Sequence, residues 1–150
     1  MGFSQNGAYR NINGKLYTLK PRDYVVAIAH TGVAGTAAVG VINIDPAAVF
    51  LMTDRFMSDT VDPALVAPGL DGQYDNFIQV QDSSNGYNWS NAFVPRSAFA
   101  RDKRHGYRLT DEVMIAANTR LVLTIVEPAA APAAGVTTIV LQGFSIYSTN

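Results

Sequence analysis

The chain has 150 residues, with 11 basic and 12 acidic side chains for a net charge of −1, and no cysteine. One domain of this length buries an ordinary core without metals or disulfides. The missing cysteines exclude thiol nucleophiles, Cys-ligated zinc and disulfide staples, and the balanced charge excludes a general pull toward nucleic acid or membrane. Only 15% of residues are charged against 48% hydrophobic. Two readings of that composition stay open: a monomer with a Ser/Thr/Asn-rich surface, or a subunit whose apolar surface is buried against neighbours. The apolar runs, such as residues 47–52, fall far short of the ~20 residues of a membrane helix. The first residues carry no apolar signal-peptide core, so a cytoplasmic site of synthesis without an export signal is expected.

Residues 1–23 read as a polar N-terminal arm, with turn pairs at Asn6-Gly7 and Asn13-Gly14 and a stop at Pro21. A short hairpin is expected between Tyr9 and Tyr17. The arm either drapes over its own domain or reaches a neighbour. Residues 24–150 form the second unit. Residues 24–29 are a β-branched run, 31–35 a Gly-rich turn, and 37–44 the returning strand, broken at Asp45-Pro46. Residues 48–57 predict a strand with Val49, Leu51, Thr53 and Arg55 on one face and Phe50, Met52 and Phe56 on the other. Residues 60–73 read as a loop. Residues 74–82 alternate clearly, and Asn85-Gly86 is a strong hairpin signal before residues 87–94 return. Residues 96–108 form a charged connection with a helical turn at 96–100. Strands follow at 112–116, 120–126 and 136–147, with an Ala/Pro loop at 128–135. About eight strands without a long helix predict an all-β, antiparallel, jelly-roll-like β-sandwich carrying an N-terminal arm.

Candidate chemistry is thin. His30 and His105 stand far apart, and neither belongs to a G-x-S-x-G or HExxH pattern. Gly32, Gly35 and Gly40 lack the Lys-Ser/Thr of a phosphate loop and read as a hairpin turn. Asp54, Asp59, Asp62, Asp71 and Asp75 miss the calcium-loop spacing and read as solvated turn residues. Arg101, Lys103, Arg104 and Arg108 make a basic patch diluted by Asp102, Asp111 and Glu112. A solvated loop is the first reading of that patch, a subunit contact the second and nucleic acid the third. Tyr9, Arg10 and Tyr17 are candidate subunit contacts on the arm. Tyr74, Tyr87 and Trp89, with Phe93, suit a sugar-stacking platform, although aromatics in a sandwich more often fill the core. No catalytic, cofactor or metal residue is assigned.

Three stretches carry a resemblance. The first is Ile42-Asn43-Ile44-Asp45-Pro46 with Phe50-Leu51-Met52-Thr53. The second is Ile78-Gln79-Val80-Gln81-Asp82-Ser83-Ser84 followed by Trp89-Ser90-Asn91-Ala92-Phe93-Val94-Pro95. The third is Arg120-Leu121-Val122-Leu123-Thr124-Ile125 with Thr138-Ile139-Val140-Leu141-Gln142-Gly143-Phe144. Together they resemble structural proteins of tailed-bacteriophage virions, over about residues 23–147, by pattern and not by a diagnostic motif. The arm is unmatched, and residues 111–117 lack the proline of similar proteins. The resemblance implies a non-enzymatic virion protein: a capsid decoration (cement) or minor capsid subunit, or a tail or fibre attachment module. It implies no cofactor, a homotrimer or dimer, and the major capsid protein of a phage head as partner, with no membrane and no specific nucleic acid. A carbohydrate-binding sandwich is the alternative.

Overall fold

The structure, a computed structural model, describes residues 8–33, 35–61, 76–100, 107–127 and 135–148. Ten strands and one short helix follow in chain order: β1 (Ala8–Ile12), β2 (Lys15–Ala29), β3 (Ala37–Asn43), β4 (Val49–Val61), β5 (Phe77–Asp82), β6 (Tyr87–Asn88), β7 (Val94–Pro95), α1 (Arg96–Phe99), β8 (Tyr107–Ile115), β9 (Arg120–Val126) and β10 (Gly135–Ser148). One antiparallel sheet runs β1-β2-β10-β4-β8; the other runs β3-β9-β5-β6, with β7 also on β5. Apart from the hairpins β1–β2 and β5–β6–β7, successive strands alternate between the sheets, and β10 returns between β2 and β4. This is jelly-roll topology, as the turn spacing predicted.

The alternating runs explain the packing. On β9, Leu121, Leu123 and Ile125 have no solvent exposure, while Val122, Thr124 and Val126 face outward and are half-buried. Each wholly buried aliphatic side chain stabilises the fold by about 1.5–3 kcal/mol. Ile78 and Val80 of β5 join them, opposite Ile139 and Leu141 of β10 and Phe50, Met52 and Met57 of β4. Tyr24 packs edge-on against Phe50, with centroids 4.8 Å apart, and its hydroxyl accepts the Asp45 N–H at 2.9 Å. That bond fixes the β3–β4 connection to β2.

Several expectations need correcting. Pro21 does not stop a strand: β2 passes through it, pairing Pro21 with Phe144 of β10. β1 ends opposite Leu19, so Pro21 lies beyond the last described pair on that side, where a missing N–H is tolerated. Residues 8–23, read as an arm, are thus paired strand, the expected hairpin turning at Asn13 and Gly14 with positive φ at both. Residues 1–7 lie outside the described residues. The expected faces of β4 hold only to Met52. The ladder with β10 shifts between Gln142 and Gly143, leaving Thr53 as the extra residue. Beyond this bulge Arg55 and Met57 face the core, and Phe56 turns outward. Gly143 makes the close approach possible, because a Cβ there would sit 1.9 Å from the Leu51 carbonyl oxygen. The return after Asn85-Gly86 is split into β6 and β7, and β8 starts earlier than expected, at Tyr107.

A second, smaller cluster lies on the far face of the first sheet. There Leu19, Leu51 and Ile146 are buried with Tyr17, Val49 and Phe144 against them.

Candidate functional site

Two arrangements on this scaffold bring chemically capable side chains together. The first is buried where both sheets end. His30 continues the inward register of β2 (Tyr24, Val26, Ile28), and Glu127 continues that of β9 (Leu121, Leu123, Ile125). The His30 Nδ1 lies 2.9 Å from each Glu127 carboxylate oxygen, and both side chains are wholly shielded from solvent. A carboxylate only accepts, so Nδ1 carries the proton. The Thr31 N–H also donates to Glu127 Oε1, at 3.2 Å. On the other side of the ring, Thr137 Oγ1 stands 2.8 Å from Nε2. Hydroxyl, imidazole and carboxylate in sequence form the relay that activates nucleophiles. Here the hydroxyl belongs to a residue with no exposure, shut off from any substrate. What the relay does physically is tie β2 and β10 of one sheet to the end of β9 in the other.

The second arrangement is a cleft of about 490 Å³ at the mouth of the sandwich, where edge strand β8 faces β6. Asp82 and Tyr87 are directly opposite across the β5–β6 hairpin, so their side chains share one face. Trp89, two residues after Tyr87, follows on the same side. Trp89 packs against the core while lining the cleft; Tyr87 is 65% exposed. Two turn-forming bonds orient the polar groups: the Ser84 N–H donates to Asp82 Oδ1 at 2.9 Å, and the Tyr87 N–H to Asn85 Oδ1 at 2.8 Å. Val113 and Met114 of β8 supply the opposite wall, and Arg55 reaches in with its guanidinium 4.3 Å from the Phe99 ring centre.

The other expected site residues scatter. Tyr9 is exposed on β1, and Arg10 pairs with Tyr17 across the β1–β2 hairpin. Arg108 takes its place in β8 opposite Asp54. Arg101, Lys103, Arg104, His105 and Tyr74 lie outside the described residues, as do Asp62, Asp71 and Asp75. Asp54 and Asp59 are inside β4, which corrects their reading as loop residues. Gly32 and Gly35 take positive φ in the β2–β3 turn, whereas Gly40 lies inside β3, where a Cβ would meet Val26 and Ile28 at 2.7 Å. No cluster of three or more His, Asp or Glu able to hold a metal occurs among the described residues. None of their helices is long and apolar enough to cross a membrane.

The fold and these two sites define an antiparallel jelly-roll sandwich. No protein-family model matches the chain, nor does any curated protein or solved structure.

Sequence reasoning missed Glu127 and Thr137 as partners of His30. The available signal was parity: His30 and Glu127 are polar residues on the core-facing register of their strands.

Proposed function

We propose that the protein is a non-enzymatic structural subunit of a virion, a capsid decoration or minor capsid protein that works by packing against copies of itself and a larger assembly. The observation that carries this reading is the outer face of the second sheet. Three rows cross it in register: Ala37–Val126–Phe77, Val39–Thr124–Gln79 and Val41–Val122–Gln81. None of the nine side chains is charged. Val39 is 58% exposed and Phe77 42%. A sandwich that meets water on both faces normally alternates to charged and polar residues outside. A broad uncharged face suits a subunit contact instead. The first sheet adds a similar row, Val25–Val140–Phe56, with Val25 60% exposed. The sequence resemblance supplies the virion setting, and the closed His30 relay is in keeping with a scaffold role.

The test is the mass of the full chain by sedimentation velocity, alone and with Val39→Lys plus Phe77→Lys. Two lysines on an outer face leave the core untouched. A wild-type oligomer that the double substitution converts to monomer supports the reading. A wild-type chain that stays monomeric up to ~100 μM and does not bind phage heads refutes it, since contacts with Kd values well above this range are weak ones.

A further inference from the structure

We propose that the cleft between β6 and β8 binds a neutral saccharide. This site is independent of the assembly reading, and uses the opposite face of the second sheet. Its volume, about 490 Å³, lies within the range of small-ligand sites. Trp89 and Tyr87 both line the cleft, the first packed against the core and the second open to solvent. Such rings take up the apolar C–H face of a pyranose while leaving its hydroxyls free. Hydroxyls need both acceptors and donors, and Asp82 and Asn85 provide one of each. Asp82 Oδ1 is taken by Ser84 and Asn85 Oδ1 by Tyr87, which holds both side chains in place. Asp82 Oδ2 then remains as an acceptor and Asn85 Nδ2 as a donor. A vicinal diol can donate to the first and accept from the second.

Charge selects the class of sugar. Asp82 and Arg55 line the cleft together, one of each sign. The guanidinium sits over Phe99 at the inner wall, whereas Asp82 stands beside Tyr87 at the rim. An anionic sugar or a nucleotide phosphate stacked on Tyr87 would meet the carboxylate at close range. A neutral ring meets no such repulsion. Val113 and Met114 close the far side with apolar surface.

The chain has one tryptophan, so its fluorescence reports on this cleft alone. The full chain is titrated with maltotriose, cellotriose, triacetylchitotriose and lactose, then applied to an array of neutral, sialylated and sulfated glycans. At least one neutral glycan is expected to give a saturable change. Tyr87→Ala and Asp82→Asn should each weaken it about tenfold, the loss of one stacked ring or one charged hydrogen bond. Tyr9→Ala, an exposed aromatic on β1 outside the cleft, should leave it unchanged. The proposal is overturned if no neutral glycan binds, if anionic glycans bind more tightly, or if binding survives both cleft substitutions.

Discussion

Replacing Glu127 by Leu tests whether the buried relay holds the two sheets together. The substitution nearly conserves volume but removes the carboxylate that accepts from His30 Nδ1 at 2.9 Å and from the Thr31 N–H at 3.2 Å. With no solvent exposure at either side chain, water cannot take the place of the lost acceptor. Each orphaned buried donor costs about 1–3 kcal/mol, and Glu127→Leu orphans two, the His30 Nδ1–H and the Thr31 N–H. The expected loss is therefore about 4 kcal/mol, a large part of the ~5–15 kcal/mol that a domain has. In urea, with a slope near 2 kcal/mol per molar, the midpoint should fall by about 2 M at unchanged slope. Glu127→Gln, which keeps one acceptor oxygen, should lose about half as much. Combining Glu127→Leu with His30→Leu should cost at least 1 kcal/mol less than the two singles added, because the second change removes a donor that the first has orphaned. Additive losses, or a midpoint shift below about 0.3 M for Glu127→Leu, would show that the relay is incidental to stability.

Three further substitutions probe the frame. Gly143→Ala puts a methyl group 1.9 Å from the Leu51 carbonyl oxygen, so β4 and β10 must part at the bulge; thermal unfolding should show a loss of about 3 kcal/mol or failure to fold, and a near-normal melting temperature would refute the close approach. Tyr24→Phe removes the acceptor of the Asp45 N–H but keeps the ring on Phe50; a loss of about 1 kcal/mol is expected in urea, together with faster amide exchange at Asp45. The Asn76 carboxamide is buried and finds no partner among the described residues; Asn76→Leu should raise stability by about 1 kcal/mol, and a lowered midpoint would mean that the amide is held after all.

Most of the architecture was legible because strand alternation and turn chemistry are local. β9 spans residues 120–126 as its alternation predicted, and Gly86 takes the positive φ that the Asn-Gly pair demands. Misreadings arose where the deciding partner lies elsewhere in the chain. The bulge that reverses β4 has no glycine of its own; its mark is Gly143, across the ladder on β10. β8 was shortened because its charged residues resemble a loop, yet an edge strand tolerates charge. The cleft was half legible. Tyr87 and Trp89 stand out as aromatics, but Asp82 reads only as the end of a strand and Asn85 as a turn residue, and Val113 arrives from the other sheet. Glu127 lies 97 residues from His30, beyond any local pattern.

The place of β10 has a consequence for how the protein is made. This last strand lies between β2 and β4, pairing Ala29 with Val136 and Tyr17 with Ser148. A ribosome therefore delivers both flanking strands long before the strand that joins them. Until residue 148 has left the exit tunnel, β2 and β4 present open edges to whatever else is in the cell. Topologies dominated by such distant pairings fold slowly. Truncation near the C-terminus should accordingly leave an aggregation-prone chain and not a smaller sandwich.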